Sequence, residues 1–298
     1  MSEIERSEAL HGWRIYERLT YRPVAKKQKA TDSYSFLIPH HNCATFLEVT
    51  IDSVRRHYAD SPVVVVDSGS TRKEYMHAKA VCRRLNADLR PYVFRHGHTG
   101  QLNRLTGLAQ TDKVIFLDQD CILLNAVDDL CKLLDQEFLL IGPQDRMMLS
   151  HPNFKHHFPQ LVGTWLRDAA HYIHASFMMM RPKHVVSLYG RRPFSRHRSQ
   201  PWLGTPLVVE PYYGLCDRLY KDNPRSMLYL EAVHSGYGLG MIYSYKGRPI
   251  AYHQWYSGRT HQLRGKIDVN LDVKWLDAER DRFIQDYWNG CVDFKLSS

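Results

Sequence analysis

The sequence predicts an α/β fold built on a parallel sheet flanked by helices. Three observations carry this: four apolar runs of strand length precede residue 120, a helix-period stretch follows each of the first three, and the units recur at about 25-residue spacing. Such alternation implies right-handed crossovers, with helices on both faces of the sheet.

The run SFLIPH opens the first unit, and Phe46, Leu47, Ile51, Val54 and Tyr58 follow at near-helical spacing. The second strand, PVVVVD, is a continuous β-branched run of the kind buried on both faces. After SGST comes a helix carrying Tyr75, Ala78, Val81, Cys82 and Leu85. PYVFRH is the expected third strand, leading through GHTG to a helix with Leu102, Leu105 and Leu108, and KVIFLD is the fourth. Beyond about residue 145 the rhythm is lost. The stretch from 150 to 225, with HPNFKHHF, GRRPFSRHRS and several prolines, suggests loops and a less regular second layer. HASFMMMR, a helix near 217–235, the strand GMIYS and a last strand ending at His253 complete the expected order.

The chain divides on this reading into a basic arm (1–33), a ligand-binding half (34–145), a second half (146–260) and a helical tail (261–298). Its 298 residues are 44% hydrophobic and 24% charged, which excludes disordered, collagen-like and small disulfide-stapled classes. No apolar run approaches the roughly 18 residues a membrane helix needs, and MSEIERSEALHGWR lacks a signal-like apolar stretch. A soluble, cytoplasmic protein is expected. The six cysteines are scattered without a Cys-x-x-Cys pair and read as reduced thiols. A formal charge of +9 suits a polyanionic partner without identifying one.

In parallel sheets ligands bind beyond the carboxyl ends of the strands. Here those ends carry Pro39, His40 and His41, then Asp67 to Gly69, then His96 to Gly100, then Asp118 and Asp120. Alternation past VIFL leaves the carboxylates of Asp118 and Asp120 near one another, a pattern that suits a hard divalent cation bridging to substrate phosphates. The competing assignment makes one Asp a turn or cap residue before the helix at 126, a position for which Asn125 is the better candidate. A dinucleotide oxidoreductase is disfavoured, because the first strand turn, IPHHNC, has no glycine; nor is there a Gly-x-x-x-x-Gly-Lys loop.

Together FLIPHHN with Leu47 and Ser53-Val54, VVVVDSGST, GHTGQLNRLTGLA and VIFLDQD resemble the nucleotide-sugar glycosyltransferases of the GT-A fold, family 2-like, over roughly residues 34–125. The resemblance implies a Rossmann-like, mixed and mainly parallel sheet flanked by helices, with a less regular C-terminal acceptor region. It implies that Pro39, His41 and Asn42 line the nucleoside pocket and that Asp67 hydrogen-bonds the base. His98, Gly100 and Asn103 would face the sugar diphosphate, and Asp118 and Asp120 would hold Mn²⁺ or Mg²⁺. Where the family usually reads Asp-Asp, this chain has Asp67-Ser68. The usual Glu-Asp before a helix ending in Gly-Tyr is also missing, and of Asp217, Asp222 and Glu231 the resemblance points to Asp217 as catalytic base. His253 would complete the metal site and Arg259 meet the diphosphate; alternatively His253 is a hydrogen-bonded structural residue.

The implied reaction is transfer of a sugar, from a UDP-sugar as the expected donor, to an acceptor hydroxyl with inversion. A glycan, lipid or small-molecule acceptor leads. A hydroxymethylated DNA base is the minority alternative, motivated by six basic residues between Arg181 and Arg198 interleaved with Tyr189 and Phe194. The rivals are an Asp-nucleophile phosphohydrolase and a non-catalytic binding module. Trp165, Trp202 and Trp255 are candidates to stack on sugar faces.

Overall fold

The computed structural model describes residues 34–92, 97–144, 172–194, 213–254 and 273–292. The basic arm, Arg259, Arg196, Arg198 and the three candidate tryptophans lie outside them. The first half alternates as expected: β1 (Tyr34–His40), α1 (Ala44–His57), β2 (Val63–Ser68), α2 (Arg72–Arg84), β3 (Asp88–Tyr92), α3 (His98–Thr106) and β4 (Lys113–Leu117). Then come β5 (Cys121–Leu123), α4 (Asp128–Gln136), β6 (Leu140–Pro143), β7 (Phe177–Met180) and α5 (Pro182–Tyr189). The chain continues through α6 (Tyr213–Asp222), β8 (Met227–His234), β9 (Gly240–Tyr245), β10 (Arg248–Gln254) and α7 (Val273–Trp288).

The described strands join in the order β3-β2-β1-β4-β7-β6-β8-β9-β10-β5. β3, β2, β1 and β4 run parallel; β7 is antiparallel to both of its neighbours, and β8, β9, β10 and β5 pair antiparallel. The sheet is therefore mixed, parallel in its first half and mainly antiparallel in its second.

Period-2 alternation sorts the strand side chains into two cores. Phe36, Ile38, Val63, Val65, Ile115 and Leu117 pack under α1, α2 and α4. Leu37, Val64, Val66, Val114 and Phe116 pack against α3, α5 and α6 on the other face. A third cluster docks α7: Phe283 stacks on Tyr252 of β10 with ring centroids 4.3 Å apart, and on Phe46 of α1 at 5.6 Å.

Three elements differ from the sequence expectation. The helix expected over 217–235 ends at Asp222, and Met227–His234 is a strand parallel to β6. Here pairing with a sheet edge overrides a pattern in which Met, Leu and Ala also suit a helix. Gly236-Tyr237 consequently sits in the turn between two antiparallel strands rather than at a helix end. β3 begins at Asp88, ahead of PYVFRH, because Val64 and Val65 pair with Asp88 and Leu89. Asn125 does not cap α4, whose N-cap is Val127; its amide instead donates to the Pro249 carbonyl, 2.9 Å.

No helix among the described residues is long and apolar enough to cross a membrane. Because Phe283 bridges rings from α1 and β10, Phe283→Ala is expected to cost about 3–5 kcal/mol, read as a lower urea midpoint.

Candidate metal and donor site

Leu117 ends β4, and the chain turns through Asp118-Gln119-Asp120 into β5, which belongs to the far end of the strand order. That turn is held from both sides. The Asp118 amide donates to the Ser176 carbonyl at 2.9 Å, and the Gln254 amide donates to the Asp120 carbonyl at 3.0 Å. Antiparallel register then sets His253 opposite Cys121. The imidazole comes to lie against the turn, with its Nε2 3.3 Å from Asp120 Oδ1.

Ligand atoms of Asp118, Asp120 and His253 all lie within 4.8 Å of one another. Asp120 and His253 are buried and Asp118 is half-buried, so water screens the two carboxylates poorly. A pair of hard carboxylate oxygens with one imidazole nitrogen suits Mn²⁺ or Mg²⁺ by donor chemistry. His98, at the start of α3, brings its Nε2 to 3.4 Å from Asp118 Oδ1.

The loop after β1 is interlocked with this turn. Gln119, between the two aspartates, accepts from the His41 amide at 2.8 Å and donates to the His41 carbonyl at 3.2 Å. Thr50 of α1 holds the Gln119 carbonyl at 2.8 Å. His41 Nδ1 lies 2.7 Å from the Ser68 carbonyl, which can only accept, so this nitrogen carries the proton. Asn42 and Cys43 both take positive φ, 50° and 81°. Asn tolerates that region; Cys does so at a cost. The Glu74 carboxylate holds the strained start by accepting from the Cys43 and Ala44 amides at 3.0 and 2.9 Å, so the positive end of α1 is already neutralised by the chain itself.

The other expected donor residues have partners within the chain or lie in its regular elements. Asp67 is fully buried, and its Oδ1 takes His40 Nδ1 at 3.0 Å together with the Ser70 hydroxyl. It braces the loop from within. Pro39 lies buried in β1, in register with Val66. Asn103 bonds the main chain of Phe194 through both ends of its amide, at 2.8 and 3.1 Å. Gly100 lies in the first turn of α3. Asp217 is half-buried in α6, which packs through Leu215, Cys216 and Leu219 against the second core; it is not part of the Asp118, Asp120 and His253 group. Within the basic run, Arg181 is paired with Asp112 at 2.9 Å.

Sequence reasoning missed Gln119, Glu74, His174, Ser176 and Tyr243. The His174 ring lies 5.6 Å from that of His253, and Tyr243 bonds His253 Nδ1. Gln119 alone carried a local signal, its place between the two aspartates.

Residues 35–182 match the sequence model of glycosyl transferase family 2, and with this sheet and site the chain belongs to the family 2-like glycosyltransferases of the GT-A fold. Among solved structures it is similar to mannosyltransferase PcManGT from Pyrobaculum calidifontis in complex with GDP-Man and Mn²⁺, with 20% identity and a TM-score of 0.39 over 60% of this chain and 53% of that one. A second similarity is to glucosyl-3-phosphoglycerate synthase from Mycobacterium tuberculosis in complex with Mn²⁺, UDP-glucose and phosphoglyceric acid, with 17% identity and a TM-score of 0.45 over 67% and 70%. A third is to S. aureus TarS 1-349, with 19% identity and a TM-score of 0.33 over 38% and 35%. The chain thus spans about half of PcManGT and a third of the TarS fragment. Family membership rests on the sequence match and the site, not on these overlaps. No curated protein matches the sequence.

The six cysteines are free, and Cys291 is the exposed one. Burial pushes the Cys43 and Cys131 thiols up to about 12 and raises Cys82 and Cys121 further. A raised pKa keeps the unreactive thiol form at pH 8. Labelling the native protein with a thiol-disulfide reagent at pH 8 is therefore expected to count one fast site, lost in Cys291→Ser, and six sites after denaturation.

Proposed function

We propose that the protein transfers a sugar from a nucleoside diphosphate donor, a UDP-sugar, to an acceptor hydroxyl with inversion. The observation that carries this reading is the convergence of Asp118, Asp120 and His253 ligand atoms within 4.8 Å at the carboxyl end of β4. These three residues would hold Mn²⁺ or Mg²⁺, and a bound cation would offset the negative charge that develops on the departing diphosphate.

The remaining work belongs to the chain's own residues. Gln119 fixes the loop after β1 against the Asp118–Asp120 turn, and His41 and Asn42 of that loop are proposed to line the nucleoside pocket. His98, beside Asp118 and at the positive end of α3, is proposed to contact the diphosphate. Asp217 is the carboxylate proposed to take the acceptor's proton, a role that inversion requires of one base only. Arg259 is proposed as a further diphosphate contact. The acceptor is proposed to be a glycan, lipid or small-molecule hydroxyl bound by the second half of the chain, 146–260. A cytoplasmic location accords with the sequence reading.

The test is thermal unfolding with UDP, GDP, CDP and dTDP, each with and without Mn²⁺. UDP with Mn²⁺ is expected to raise Tm, by about 2.7 kcal/mol of stabilisation at a hundredfold excess over Kd, and Asp120→Asn is expected to abolish the shift. Asp217→Asn is expected to keep the shift while lowering kcat at least about a hundredfold. No metal-dependent shift with any nucleotide contradicts the reading.

A further inference from the structure

His253 is held at both ring nitrogens. Nε2 lies 3.3 Å from Asp120 Oδ1, and Nδ1 lies 3.1 Å from the Tyr243 hydroxyl, which lies 2.9 Å from Ser176 Oγ. Ser176 is fully buried, and Tyr243 and His253 are 2% and 3% exposed, so these groups bond to one another in place of bulk water.

A neutral imidazole carries one proton, and the row can be satisfied in two directions. In one, Ser176 donates to Tyr243, Tyr243 donates to His253 Nδ1, and Nε2–H donates to Asp120. In the other, Nδ1–H donates to Tyr243, Tyr243 donates to Ser176, and Nε2 presents a lone pair towards Asp118 and Asp120. Only the second lets His253 serve as a metal ligand.

We propose that Ser176 and Tyr243 form a hydroxyl relay that sets which nitrogen of His253 carries the proton, and so whether Nε2 accepts a cation. This rests on the metal reading given above. The two arrangements differ by one proton, given up to solvent at Nε2 and taken back from solvent at Nδ1, and by the rotation of two hydroxyls, with no net change in charge. The far end of the relay is rigid. The Ser176 amide donates to His174 Nδ1 at 3.1 Å, and its carbonyl accepts from the Asp118 amide at 2.9 Å. One residue therefore ties the strand end bearing Asp118 to the orientation of His253. Outer-shell partners of this kind raise ligand basicity and fix ring orientation. Ser176 and Tyr243 are positioning residues, since neither stands among the three ligand-bearing side chains.

The experiment titrates the full chain with Mn²⁺ alone and reads free Mn²⁺ by electron paramagnetic resonance, with the metal-free melting temperature of each variant as the folding control. Tyr243→Phe and Ser176→Ala are each expected to weaken Mn²⁺ binding about tenfold or more. Ser176→Thr, which keeps the hydroxyl, restores the affinity. The double variant binds no more weakly than the weaker single one, because a serine without the tyrosine has nothing to relay. Affinities equal to the unsubstituted protein in both single variants, or losses that multiply in the double variant, overturn the relay. An unsubstituted protein that takes up no Mn²⁺ overturns the metal reading itself, a failure distinguishable from the first.

Discussion

The site depends on the antiparallel pairing of β10 with β5. That pairing sets His253 opposite Cys121 and lets the Gln254 amide bond the Asp120 carbonyl. Because side chains alternate along a strand, a one-residue slip would turn His253 to the other face and leave two carboxylates without their imidazole. The register is protected by packing further out: Tyr252, next to His253, is buried between Phe283 of α7 and the turn at Tyr237. The C-terminal helix, remote in sequence from Asp118, thus secures the geometry around it.

Around this pairing the structure is economical with buried polar groups. Gln119, Thr50 and His41 join the first loop to the Asp118–Asp120 turn, while His40, Asp67 and Ser70 brace the same loop from below. In a low-exposure setting such bonds are costly to leave unmade, so the loop conformation, left-handed at Asn42 and Cys43, is held against its own strain. A preorganised loop of this kind loses little entropy when a ligand docks on it.

Much of the first half was legible in the sequence because its strands are buried on both faces and read as unbroken apolar runs, VVVV above all. That Asp118, Asp120 and His253 come together was legible as well, the first two from their strand end and the third from its place at the end of PIAYH. The second half was less so. Met227–His234 carries Met, Leu and Ala, residues that serve helix and strand alike, and its state is decided by an edge of β6 that no local pattern announces. Asp67 and Asn103 were identifiable as strand-end and helix polar residues, but not the partners that occupy them, His40 and Phe194, because those pairings span 27 and 91 positions. Ser176 and Tyr243 carry no motif; they meet only because the fold brings the residue before β7 to a tyrosine of β9, 67 positions away.

The central claim is that Asp118, Asp120 and His253 form one divalent cation site. The most direct measurement is anomalous X-ray scattering at the manganese edge from crystals grown with MnCl₂ and UDP. The account predicts one strong peak at about 2.0–2.3 Å from an oxygen of each aspartate and from His253 Nε2. A peak elsewhere in the chain, with these three residues carrying none, would contradict it.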